Sequence, residues 1–179
     1  YNLIVTDSNF CTISDSVFID NQSGVNVSGH VYYDNIQNTA MTGIYSVLYD
    51  TSGTASYFDT TSQNGEFVFT DVQAGDYSFV GSTTKPWGGV NSTDALAIMY
   101  HFVGILTLNG MPLVAADVSA NGYINSSDAL YVQQRYIGMV NSFPAGDYAF
   151  EDKTFQVGTT NISENVLTIC YGDANASYV

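Results

Sequence analysis

The chain has 179 residues and a formal net charge of −14, with three Lys plus Arg against 17 Asp plus Glu. So acidic a surface repels nucleic acid and anionic membranes and argues against both as partners. No run is long and apolar enough to span a bilayer, and the abundance of Tyr and Phe argues against disorder.

The first twenty residues do not read as the start of a domain. Residues 1–17 open with Tyr1-Asn2-Leu3-Ile4-Val5-Thr6-Asp7 and continue through Cys11-Thr12. This order is similar to the closing strands of repeats in large bacterial surface adhesins, with Phe10 in place of a Gly. The resemblance implies that residues 1–20 are the terminal strands of a preceding repeat, and that the chain is a piece of something larger. Such strands would add to a sheet of this chain or to a neighbouring molecule.

Residues 21–82 read as β-structure. Residues 25–33, 43–49, 65–69 and 75–80 alternate apolar and polar positions. Turn clusters such as Asp50-Thr51-Ser52-Gly53 and Gln63-Asn64-Gly65 separate them. Short strands at regular spacing predict a β-sandwich. The order of Val-Ser-Gly, Asn-Gly-x-Phe-x-Phe and Gly-x-Tyr resembles Cna-B-like and carboxypeptidase-regulatory-like domains. Those are prealbumin- or Ig-like sandwiches that act as spacers in surface proteins. Some carry a Lys–Asn cross-link, but no Lys precedes Lys85 here.

Residues 83–150 contain an internal repeat. Residues 90–104 align with 124–138 at an offset of 34 (124 minus 90), with Asn, Ser, Asp, Ala, Leu and the closing Gly in common. Each copy predicts a helix with a polar start and a Gly end. Leu96, Met99 or Tyr100, and Val103 share one face; Leu130, Gln133 or Gln134, and Ile137 share its counterpart. Ahead of the second helix, oxygen-bearing side chains stand at positions 1, 3, 5, 9 and 12 of a twelve-residue loop: Asp117, Ser119, Asn121, Asn125 and Asp128. Gly122 at position 6 supplies the turn, and Tyr123 at position 7 would add its carbonyl. Calcium is a hard cation that needs several oxygens around one point, and this is the spacing of an EF-hand-type loop, with Asp128 where Glu is usual. Two loop–helix units so related resemble a dockerin, a paired F-hand module. The resemblance implies calcium binding and a cohesin-like protein partner. It also implies recognition through loop positions 10 and 11, here Ser92-Thr93 and Ser126-Ser127, which equally cap helices.

The first loop departs from this pattern. Counting back from Asp94 at position 12, positions 3 and 5 fall on Lys85 and Trp87, which cannot ligate calcium in this way. The front half has a candidate at the far end of the chain, where Asp173, Asn175 and Ser177 are spaced as positions 1, 3 and 5 after Gly172. A split site would join them to the Gly89 carbonyl, Asn91 and Asp94. The alternative is an acidic tail with no site. The sequence therefore implies one calcium site, and two if the split loop closes. Residues 154–157 and 166–169 read as a hairpin within residues 151–179 that returns the tail to the helical unit. Cys11 and Cys170 are the two cysteines. A disulfide between them would tie the ends together, unless Cys11 bonds to a residue of the missing repeat.

Catalytic signals are lacking: there is no nucleophile elbow, phosphate loop or zinc helix. His30 and His101 read as structural or surface residues, and Trp87 as packing at the junction of sandwich and helical unit. The expected whole is mainly β with a small α part. The expected function is that of a non-catalytic, calcium-stabilised structural or adhesion module at the bacterial cell surface or outside the cell. Its expected partners are neighbouring subunits or a cohesin-like domain.

Overall fold

The structure is a computed structural model and describes residues 2–6, 8–9, 11–16 and 23–178. Phe10 and the expected boundary at residues 20/21 lie outside the described residues. Strands β1 (Asn2–Thr6) and β2 (Thr12–Ser16) pair antiparallel with each other, Asn2 opposite Ser16 and Thr6 opposite Thr12.

A two-layer β-sandwich follows. Its first sheet is built around β3 (Val25–Tyr33). β6 (Glu66–Val72) pairs antiparallel along one side of β3. Along the other side, two strands lie parallel to β3: β10 (Ile162–Ser163) opposite Val27 and Ser28, then β11 (Val166–Cys170) opposite Val31 to Tyr33. β8 (Tyr148–Phe150) completes that sheet against β11. The second sheet runs β5 (Ala55–Thr60), β4 (Tyr45–Asp50), β7 (Gly75–Ser82), β9 (Lys153–Val157).

The alternation of β3 dictates its orientation, because successive side chains point to opposite faces. Val25, Val27, Val31 and Tyr33 enter the core, where Phe67 and Phe69 of β6, Phe79 of β7 and Phe155 of β9 meet them. Burying each such side chain contributes roughly 1.5–3 kcal/mol. Strand β5 guards the open edge of β6 with side chains. Asp59 Oδ2 accepts from the Val68 N–H at 2.6 Å, and the Tyr57 hydroxyl accepts from the Gln73 N–H at 3.0 Å. Occupied donors make a poor template for a foreign strand.

The sandwich is therefore not confined to residues 21–82. The expected hairpin of 154–157 with 166–169 does not form: β9 pairs with β7 in one layer and β11 with β3 in the other. The two runs enter the shared core from opposite layers, with Phe155 and Val157 from β9 and Val166 and Ile169 from β11.

Between β7 and β8 the chain makes three helices: α1 (Ser92–Phe102), α2 (Gly110–Ala116) and α3 (Ser126–Tyr136). α1 and α3 pack on each other around Ala95, Ile98, Ala129 and Val132. The face holding Leu96, Val103, Leu130 and Ile137 points outward, each of them about half exposed or more. Small residues on the opposite face let the two helices approach closely, and this close packing decides which face is buried. α2 lies between the two cores: Met111 and Ala115 join the sandwich core, Ala116 the helical one. Trp87 packs against both, as expected; its indole N–H donates to the Tyr171 carbonyl at 2.9 Å. Arg135 lies over the Trp87 ring at 3.9 Å and the Phe143 ring at 4.5 Å, and pairs with Asp147 at 2.5 Å.

Candidate calcium sites

The loop before α3 is organised by its own carboxylates. Asp117 Oδ1 accepts from the Asn121 N–H at 3.2 Å, and Oδ2 from the Gly122 N–H at 2.7 Å. Asp128, fully buried at the far end of the loop, accepts from the Ser119 N–H at 3.1 Å and from the Asn125 N–H at 3.0 Å. Asn125 caps the helix through the Ser127 N–H at 2.8 Å. Gly122 has φ +81, which lets the loop double back, and Ala120 stands at φ +55.

The C-terminal tail repeats this arrangement across two segments of chain. Asp173 Oδ1 accepts from the Ser177 N–H at 3.0 Å, and Oδ2 from the Tyr178 N–H at 3.2 Å. Asp94 Oδ1 accepts from the Asn175 N–H at 3.1 Å, and Oδ2 from the Asn91 N–H at 2.8 Å. Asn91 caps α1 through the Thr93 N–H at 2.7 Å. Ala176, the counterpart of Ala120, has φ +52. Ala174, the counterpart of Val118, is buried in the same helical core. Ser177 Oγ donates to the Gly89 carbonyl at 3.4 Å. The structure thus brings Asp173, Asn175 and Ser177 together with Gly89, Asn91 and Asp94. Lys85 and Trp87 take no part in this group, since the tail fills the positions that a continuous loop would give them.

The donor chemistry of both groups suits calcium: two carboxylates each, with hydroxyl, amide and backbone carbonyl oxygens close by. Among the described residues no three His, Cys, Asp or Glu side chains gather as a metal group. The charge balance gives a sharper test. Asp94 and Asp173 are fully buried and neighbour each other. The two cations in salt bridges are engaged elsewhere, Arg135 with Asp147 and Lys153 with Glu164. Burial pushes the Asp94 carboxyl up from 3.8 to about 6, and the Asp173 charge adds to the rise. A divalent cation between them would supply the charge that the protein withholds.

The two groups differ in one respect. Asp117 is half-buried at a loop surface, whereas Asp173 is covered by the sandwich. The Tyr33 hydroxyl of β3 donates to Asp173 Oδ2 at 2.6 Å and accepts from the Cys170 N–H at 2.9 Å. Burial and the nearby Cys170 and Asp173 push the Tyr33 phenol well above its ordinary range, so it stays a donor. The alternation of β3 places Tyr33 in the core, but no sequence signal links it to residue 173.

Cys170 is a buried thiol, raised by burial, and makes no disulfide with Cys11. It points into the core beside Tyr33 and Tyr148 rather than toward the surface. Ser92, Thr93, Ser126 and Ser127 are exposed in the first turns of α1 and α3. His101 Nδ1 accepts from the Leu108 N–H at 3.1 Å, a structural bond. No helix among the described residues is long and apolar enough to cross a membrane.

No curated protein matches the chain. Among solved structures, it is similar to the T6 backbone pilin of serotype M6 Streptococcus pyogenes, at 21% identity and a TM-score of 0.33, over 47% of this chain and 17% of that one. It is also similar to the Bacillus anthracis TIE protein, at 11% identity and a TM-score of 0.38, over 93% of this chain and 22% of that one. The chain thus spans less than a quarter of either. Residues 88–136, from position 6 of the first loop to the end of α3, match the dockerin type I domain.

Proposed function

We propose that this chain is a non-catalytic, calcium-stabilised structural module of a secreted or cell-surface bacterial protein or fibre. One observation carries the reading: two loop–helix units with the same carboxylate hydrogen bonds at the helix start, one continuous and one assembled from residues 89–94 and 173–177. Asp117, Ser119, Asn121, the Tyr123 carbonyl, Asn125 and Asp128 hold one ion. Asp173, Asn175, Ser177, the Gly89 carbonyl, Asn91 and Asp94 hold the second. Calcium neutralises paired carboxylates that otherwise repel, and so couples its own binding to folding. The dockerin match and the β-sandwich support a module that positions other parts of a larger protein. A thermal melt in calcium and in chelator tests this: chelation should lower the melting temperature by many degrees. Equal melting temperatures would remove calcium from the account.

A second reading makes the helical unit a recognition module for a cohesin-like partner. It is favoured by the exposed Ser92-Thr93 and Ser126-Ser127 pairs, which occupy equivalent places on α1 and α3. Calcium-dependent binding to an immobilised cohesin domain, lost when both pairs are changed to Ala, would support it. Self-assembly of the calcium-loaded chain with no binding to cohesin would favour the structural role.

A further inference from the structure

The tail that completes the split loop touches the sandwich as closely as it touches α1. Asp173 receives the Tyr33 hydroxyl at 2.6 Å, and Tyr33 belongs to β3, the central strand of the first sheet. Asn35 Nδ2, just beyond β3, donates to the Tyr178 carbonyl at 2.6 Å. The Tyr178 ring packs on Tyr33 with centroids 5.3 Å apart. On the other side, the same residue lies over Gly88 and Gly89, where a side chain at either position would run into it. The residues of 173–178 thus hold β3 with one set of groups and the start of α1 with another.

We infer that the split loop is a metal-operated clasp between the two cores, with Tyr33 as the positioning residue that transmits it. The inference rests on the calcium reading of the split loop given above. Asp173 would be a ligand and a hydrogen-bond acceptor at once, so a metal at this site and a folded C-terminal end of β3 favour each other. Among the described residues, no hydrogen bond joins Asp117 to β3. Asp117 takes its bonds from residues 119, 121 and 122 of its own loop. Coupling between sites is reciprocal: the factor by which folded β3 tightens calcium is the factor by which calcium protects β3. Strand β3 would therefore respond more strongly to the split site than to the continuous one.

The test combines calcium titration by calorimetry with hydrogen exchange at the β3 amides, on the full chain. In the unchanged protein two ions bind, and calcium slows exchange along β3. In Tyr33→Phe one of the two affinities falls about tenfold, the size expected for a lost hydrogen bond to a charged group. The calcium-dependent slowing of β3 exchange falls by the same factor, while Asp117→Asn leaves it intact. Asn35→Ala cuts the tail's other bond to the sandwich. It should show the same pattern more weakly, which keeps the test open if Tyr33→Phe folds poorly. Two ions bound with no change of affinity or β3 protection in either variant would overturn the clasp and leave the sites standing. An unchanged protein that binds only at the loop of residues 117–128 would overturn the reading beneath it as well.

Discussion

The buried Asp94 carboxyl makes stability depend on pH in a direction opposite to ordinary acid denaturation. Burial raises it from 3.8 to about 6 in the folded protein. A raised carboxyl binds protons more tightly folded than unfolded. Its contribution is therefore fully present below about pH 3.8 and is lost as pH rises to about 6. A rise from 3.8 to about 6 corresponds to about 3 kcal/mol in full. Other carboxylates titrate in the same window, so the useful quantity is the difference between the unchanged protein and Asp94→Asn. The amide introduced by this substitution keeps an oxygen for the Asn175 N–H but has no charge to titrate. Its NH2 group faces the Asn91 N–H, a fixed cost that does not vary with pH. Urea unfolding in chelator at pH 4, 5, 6 and 7 should show the unchanged protein losing about 2.4 kcal/mol relative to the variant across that range. With saturating calcium the trend should reverse, because protons then compete with the metal. A difference that stays flat with pH in chelator would refute the claim that Asp94 is held buried against Asp173 without a cation.

Three further outcomes follow from the same contacts. Arg135→Ala should cost about 2–4 kcal/mol by chemical denaturation, since it removes a desolvated stack on Trp87 and Phe143 and the partner of Asp147. Arg135→Lys keeps the charge but not the flat surface, and should recover less than half of that. Gly89→Ala should weaken one calcium site and spare the other in a titration. Gly89 stands at φ +80 with Tyr178 against it, so a methyl group strains the backbone and displaces the tail together.

What the sequence disclosed followed from local rules. The β3 pattern, the capped helix starts at Asn91 and Asn125 and the loop of residues 117–128 each depend on neighbours a few residues apart, and each stands as a periodicity or a spacing. The spacing of Asp173, Asn175 and Ser177 also pointed to Asp94, because a repeat with a damaged member asks where its missing half is. The rest depended on distant partners. Strand β5 has no fully buried residue, and its alternation is weak in apolar terms. The short α2 has no side-chain cap to announce it. The places of β9 and β11 in opposite layers are set by which core each must close, and residues 154–157 and 166–169 carry no mark of that. The outward turn of Leu96 and Leu130 was illegible for a related reason: small residues, not large ones, make much of the buried seam of α1 and α3. Tyr33 was visible as a core residue, but its bond to Asp173 spans 140 positions.

On the reading proposed above, the chain binds two calcium ions and one loop is closed by the C-terminal tail. Counting ions by calorimetry tests it most directly, in the unchanged chain, in Asp117→Asn, in Asp173→Asn and in the double variant. The expected counts are two ions, then one, one and none. A single ion in the unchanged chain, retained in Asp173→Asn and lost in Asp117→Asn, would contradict it and leave residues 173–178 as a structural strap alone.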